Sequence, residues 1–145
     1  MTSKTTARAF ASSATLFVLA GYLLMAQDRK QLEAAQPFAG SWKGVCADGK
    51  PFVLLTLRVN GSEVTGTISL ANIKGDDGQC AIVVSPPSPD HALKITDAQM
   101  KTKVLAFKGS GRLEFEMNLV GSDGAQLKFL DTPTENNPWK LTRSN

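Results

Sequence analysis

An all-β fold is predicted: a small antiparallel up-and-down β-barrel of about eight strands, preceded by an N-terminal hydrophobic helix. Three observations predict it. Apolar residues alternate two by two along most of the chain after Phe38, turn-forming residues recur every ten positions or so, and no apolar run shows helical spacing long enough for crossover helices. The chain has 145 residues, 42% of them hydrophobic and 20% charged. That length and balance fit one folded domain.

The N-terminus comes first in the order of the chain. Residues 1–8 are polar and carry Lys4 and Arg8 without an acid, and Ala9 to Ala26 carries no charge. A basic head before an apolar run is the layout of a secretory signal peptide, with Ala26 as the last residue removed. The same run, about 18 residues and roughly 27 Å as a helix, is also long enough to stay in a bilayer as an uncleaved anchor. Residues 1–26 are therefore read as a signal peptide or signal anchor. Either way the rest of the chain is placed outside the cytoplasm, secreted, periplasmic or tethered, and membrane contact runs only through this segment. Residues 27–37 are polar and read as a linker with a turn or two of helix that ends at Pro37. Residues 38–145 are the barrel domain.

Within that domain the clearest strand holds Leu113, Phe115, Met117 and Leu119 on one face and Arg112, Glu114, Glu116 and Asn118 on the other. Val64, Gly66, Ile68 and Leu70 alternate with Glu63, Thr65, Thr67 and Ser69 in the same way. The run from Phe52 to Val59 precedes it, with Val53, Leu55, Leu57 and Val59 inward. Asn60-Gly61 joins the two runs, a dipeptide that tolerates the positive φ of a tight hairpin. Further strands are predicted near 40–47, 80–85, 93–97, 103–108, 125–130 and 139–143. Closure into a barrel removes the unpaired edges that an open antiparallel sheet would leave.

Cys46 ends the first predicted strand and Cys80 opens the fourth, so both fall at one end of a meander. In an oxidising compartment they would form a disulfide. Closing a loop of about 35 residues would stabilise the fold by roughly 3.5 to 4 kcal/mol in the chain-entropy view. The strands are not neighbours, so residues 72–79 would have to fold across the barrel mouth. Two free thiols are the alternative; no Cys-x-x-Cys is present for redox catalysis.

Charge gives little footing for nucleic acid. Removing Lys4 and Arg8 from the 16 basic residues leaves 14 against 13 acidic ones, a net +1, and the basic residues lie among acids. Chemistry-bearing motifs are equally scarce. His91, the one histidine, sits in a Pro-rich loop with Asp90 beside it but no nucleophile placed by sequence, so no hydrolytic triad is predicted. Cys46, Cys80 and His91 lack zinc-ligand spacing, and Asn72, Asp76 and Asp77 read as a polar turn rather than a calcium loop. Gly109-Ser110-Gly111 precedes a strand and reads as a hairpin turn, not a phosphate cradle. No enzyme activity, cofactor or metal is expected.

Phe38-Ala39-Gly40-Ser41-Trp42-Lys43-Gly44 resembles the Gly-x-Trp opening of the calycin superfamily of lipocalins, fatty-acid-binding proteins, avidins and some bacterial protease inhibitors. Val64-Thr65-Gly66-Thr67 resembles the third-strand segment of avidins. The likeness covers residues 38–70 and, loosely, the C-terminus. It implies that Trp42 plugs one barrel end and that Arg143, on a strand face shared with Trp139 and Leu141, packs over it; guanidinium on indole is a favoured pair. The avidin ligand set has no counterpart here.

Two functions follow from the inner face. Leu55, Leu57, Phe107, Phe115, Met117 and Phe129 are the candidate lining of a site for a small hydrophobic molecule entered from the mouth opposite the cysteines. Alternatively these residues pack the interior solid. The barrel is then a protein-interaction module, such as an exported protease inhibitor or an envelope structural protein, with contacts made by loops at 86–91 and 132–138.

Overall fold

The computed structural model describes residues 26, 29–31, 33–61, 63–75, 80–132, 134 and 136–144. The segment read as signal peptide or anchor lies, but for Ala26, outside the described residues, as do Asp76 and Asp77 of the polar turn. Among the described residues no helix is long and apolar enough to cross a membrane.

Residues 33–35 are helical and run into a single 3-10 turn, Gln36–Phe38. Pro37 stands in that turn, where its missing N–H costs no hydrogen bond. Ala35, in the segment read as a linker, and Phe38, the first residue of the barrel domain, are buried, at 1% and 3% exposure. Among the described residues ten strands follow: β1 (Gly40–Val45), β2 (Pro51–Asn60), β3 (Glu63–Leu70), β4 (Asn72–Lys74), β5 (Ile82–Ser85), β6 (Leu93–Lys101), β7 (Val104–Gly109), β8 (Leu113–Val120), β9 (Gly124–Phe129) and β10 (Trp139–Ser144). Eight of them close a barrel in the order β1-β10-β9-β8-β7-β6-β3-β2, every pair antiparallel. The wall is the predicted up-and-down meander, shut where β1 meets β10 through Ser41–Ser144, Trp42–Arg143 and Lys43–Thr142.

The alternation seen in the sequence is what turns one side of each strand inward. Phe115 and Met117 of β8 are 1% and 0% exposed, while Glu114 and Glu116 between and beside them face out. On β2 the inward residues Val53, Leu55 and Leu57 are no more than 1% exposed. Val59, Leu113, Leu119 and Phe129, also predicted inward, are only half-buried, because they stand near the barrel rims.

Two strand assignments need correction. The predicted 93–97 strand runs on to Lys101, since a bulge at Asp97, with φ 51°, shifts the register against β7 and resets which residues face in. The segment 80–85 is not a barrel strand. Its residues 82–85 pair only with β4, and together they form a separate hairpin.

That hairpin leaves the barrel after β3 and returns at β6. It therefore sits at the end shared by the β1–β2, β7–β8 and β9–β10 connections, here called the stapled end. The opposite end, where the chain enters from Phe38 and where β2–β3, β6–β7 and β8–β9 turn, is the entry end. Cys46 and Cys80, 34 positions apart in sequence, are joined by a disulfide with their Cα atoms 4.9 Å apart. The expected staple is present; of the segment 72–79 expected to cross the mouth, residues 76–79 lie outside the described residues.

Candidate functional site

The entry end is closed by one aromatic ring and one cation. Trp42 points inward from β1 and is 1% exposed. Its indole Nε1 donates to the Phe38 carbonyl oxygen at 2.9 Å, which satisfies the ring's polar atom on burial. Arg143 lies over the indole with its guanidinium carbon 4.2 Å from the ring centroid. The same guanidinium donates from Nη1 to Ala39 O at 2.7 Å, from Nε to Ser122 O at 3.0 Å and from Nη2 to Pro37 O. One planar fork thus ties the entering chain, the last strand and the β8–β9 turn together. Gly40 makes room for it: φ there is +125°, and a Cβ would stand 2.8 Å from Arg143 Nη1. The pairing expected of Trp42 and Arg143 is in place, and the glycine before the tryptophan has a local reason that spacing alone did not disclose.

The stapled end is built differently. Phe107 and Phe115 stack at 5.4 Å, Phe115 and Phe129 at 4.9 Å, Phe129 tilts against Trp139 at 6.5 Å, and Trp139 meets Phe52 edge-on at 5.1 Å. Direct cross-strand pairing of Phe107 with Phe115 and of Phe115 with Phe129 sets the first two contacts. The last contact has to cross β1, and Gly44 lets it: a Cβ there would be 2.9 Å from both Phe52 Cε1 and Leu141 Cδ2. Phe129 is held by its own backbone. Its N–H donates to Thr134 Oγ1 at 2.7 Å, and its carbonyl oxygen accepts from both Thr132 and Thr134 hydroxyls. Thr134 is 2% exposed, so the Thr132 and Thr134 side chains are tied to the end of β9.

Over this band lies the β4–β5 hairpin. Val83 points down into the core and is 6% exposed, whereas Ile82 and Val84 on the opposite face are 55% and 52% exposed. The β1–β2 turn grips the hairpin. Ala47 N–H donates to Cys80 O at 3.2 Å, and Val83 N–H donates to Asp48 Oδ2 at 3.3 Å. Asp48 Oδ1 also accepts from Lys50 N at 3.1 Å, and Lys50 Nζ is 3.8 Å from Oδ2.

The Lys50 backbone N–H holds the Asp48 carboxyl below its ordinary value. The Val83 N–H and the Lys50 ammonium act in the same direction, and partial burial opposes them. A carboxyl depressed on folding stabilises above its unfolded pKa of about 3.9, and that help is lost as pH falls through the lower folded value. The Val83 amide resonance should therefore titrate with an inflection below about pH 4. In Asp48→Asn the inflection should vanish. An unchanged titration in the variant would show that another group holds the hairpin.

The candidate lining residues are all inside. Leu55, Leu57, Phe107, Phe115 and Met117 are at most 2% exposed, and Phe129 is half-buried at the rim. They are brought together by packing against one another, with Ile68, Leu105, Leu127 and Leu141 filling between at 1% or less. The mouth opposite the cysteines, foreseen as an entrance, is the one plugged by Phe38, Trp42 and Arg143. Open clefts lie at both ends: one of about 290 Å³ at the entry end beside this plug, between Pro37, Phe38, Met100 and Leu119, and one of about 210 Å³ at the stapled end, where Val45, Phe52, Cys80, Trp139 and Lys140 meet. Trp139 is half-buried there, so the two tryptophans differ: one is a plug, the other a rim.

Sequence reasoning missed Phe52 as an aromatic partner, Val83 as a lid residue, Thr134 as a clasp and the space-making roles of Gly40 and Gly44. Only the glycine beside each bulky neighbour was a signal that could have been read. Among the described residues no group of three or more His, Cys, Asp or Glu side chains is placed to hold a metal ion. His91 ends a short 3-10 turn, Pro89–His91, capped by Ser88, whose Oγ accepts from Asp90 N at 3.2 Å. Comparison with protein-family models, curated proteins and solved structures finds no match.

Proposed function

We propose that the chain is an exported, calycin-like barrel without catalytic activity that works as a protein-interaction module, using its stapled end. One observation carries this reading. The interior is filled: Leu55, Leu57, Ile68, Leu105, Phe115, Met117, Leu127 and Leu141 are each no more than 1% exposed. A carrier of small hydrophobic molecules needs room where these side chains meet each other. Export is supported by the basic-then-apolar N-terminus and by the disulfide, which suits an oxidising compartment.

The choice of end follows from the tether. The chain enters the barrel beside Trp42, so a membrane-held N-terminus puts the entry end nearest the bilayer. The stapled end then faces away from it. That end carries the exposed aliphatics Val45, Ile82 and Val84, together with the Pro-rich segment 86–91 and Thr134, which is clasped to Phe129. Rigid, partly apolar loops on a closed scaffold are the usual material of a contact surface.

The test has two arms. The oxidised full chain should take up no fluorescent fatty acid saturably and should keep its tryptophan emission on exposure to it. Crosslinking in the native envelope should capture a protein that Ile82→Glu/Val84→Glu no longer captures, with the barrel's circular dichroism unchanged. Stoichiometric, saturable uptake of the fatty acid would overturn the reading in favour of a carrier. So would capture that is indifferent to the two glutamates, since it would move the contact to another face.

A further inference from the structure

We propose that the Cys46–Cys80 disulfide is a reducible latch: a dithiol reductant reaching Cys80 frees the β4–β5 hairpin from the stapled end and uncovers the aromatic band beneath it, while the barrel wall stays closed. The proposal does not depend on which partner the barrel contacts.

The hairpin is a poor structure by itself. It has three residues on one arm and four on the other, and it forms a sheet separate from the wall. A lone two-stranded hairpin is at best marginal in water. What keeps it over the mouth is the disulfide, two hydrogen bonds with the β1–β2 turn region at 3.2 and 3.3 Å, the buried side chain of Val83 and the half-buried Ile73 packed against the core. No wall pairing passes through it: β3 pairs directly with β6 through Thr67–Lys94 and Ile68–Leu93. The hairpin can therefore leave without unzipping a barrel strand.

The two cysteines differ in exposure. Cys46 is 5% exposed. Cys80 is half-buried and borders the open cleft with Phe52, Trp139 and Lys140. An incoming thiolate therefore meets the Cys80 sulfur first. The S–S bond breaks, a mixed disulfide forms on Cys80, and the Cys46 sulfur leaves as thiolate and takes a proton. The reductant's second thiol then attacks the mixed disulfide and releases Cys80. Two electrons and two protons pass in total, leaving two protein thiols and one oxidised dithiol.

What opening would expose has a definite chemistry. Phe52 and Trp139 meet edge to face at 5.1 Å under the lid, and Phe129 continues the band at 6.5 Å from Trp139. With Val83 withdrawn, these rings form an apolar, aromatic surface of the kind that recruits an amphipathic peptide or an apolar dye.

The oxidised full chain, in detergent and without denaturant, is titrated with dithiothreitol, and amide exchange and binding of an apolar fluorescent dye are followed together. Exchange of the β4–β5 amides should accelerate by about tenfold or more on reduction. Amides of β2, β3, β7 and β8 should stay protected, dye emission should rise, and both changes should reverse on reoxidation. Cys46→Ser/Cys80→Ser should resemble the reduced chain. Three results would overturn the latch: unchanged hairpin exchange after complete reduction, loss of protection throughout the wall, or a bond that yields only in denaturant. Should the double variant fail to fold, reduction of the folded wild-type chain still decides.

Discussion

Gly66→Ala should lower the unfolding free energy by about 3 kcal/mol, at the upper end of what overpacking costs. Gly66 stands opposite Leu57 in the β2–β3 ladder. A Cβ built on it falls 1.9 Å from the Thr56 carbonyl oxygen and 2.9 Å from its carbon. Backbone cannot swing aside as a side chain can. The strands must part, and the Thr56 carbonyl then loses its place in the ladder. The backbone there also has φ +156°, at the edge of the region that side chains avoid. Gly61→Ala provides the control. Its φ is +57° but no atom lies within 4 Å of the added methyl, so the cost should be about 1 kcal/mol. Urea denaturation midpoints of the two variants check the difference. Equal losses would mean that backbone conformation, not the Thr56 oxygen, makes Gly66 necessary.

Trp42→Ala should cost about 4 kcal/mol, the scale of a fully buried aromatic truncated to methyl. Arg143→Met keeps much of the stem and removes the charged fork. It leaves the Pro37, Ala39 and Ser122 carbonyls without their donor and should cost about 2 kcal/mol. The two losses should not add. Once the indole is gone, the guanidinium has no ring to lie on, so a double-mutant cycle should return about 1 kcal/mol of coupling. Additive losses would reduce the 4.2 Å stacking to mere proximity. Arg143→Lys should recover little, because an ammonium cannot reach three carbonyls in one plane.

Much of the barrel could be read before any coordinates. The two-residue period placed Leu55, Leu57, Phe107, Phe115 and Met117 inside, and inside they are. Asn60-Gly61 and Ser110-Gly111 marked hairpins, and positive φ occurs at Gly61, Ser110 and Gly111. The reading failed where geometry departs from a regular strand. At Asp97 the bulge breaks the alternation, so the predicted strand stopped short of its end at Lys101. At 80–85 the local pattern is that of a strand, and a strand it partly is. Residue pattern carries no information on whether such a strand joins the wall or pairs only with its own hairpin partner. The aromatic band was invisible for the same reason, since Phe52 and Trp139 are far apart in the chain and meet only because Gly44 leaves the space between them open.

Periodicity along the chain was enough to specify an oily interior, its approximate strands and the staple's two ends, because each of these depends on residues near one another in sequence. Closure of the wall, the lid and the crowding around particular glycines depend on atoms brought together from distant strands. A missing Cβ at Gly40, Gly44 or Gly66 matters only through what stands opposite it: Arg143, Phe52 or the carbonyl of Thr56. Excluded volume acts between neighbours in space, and those neighbours exist only once the chain has folded.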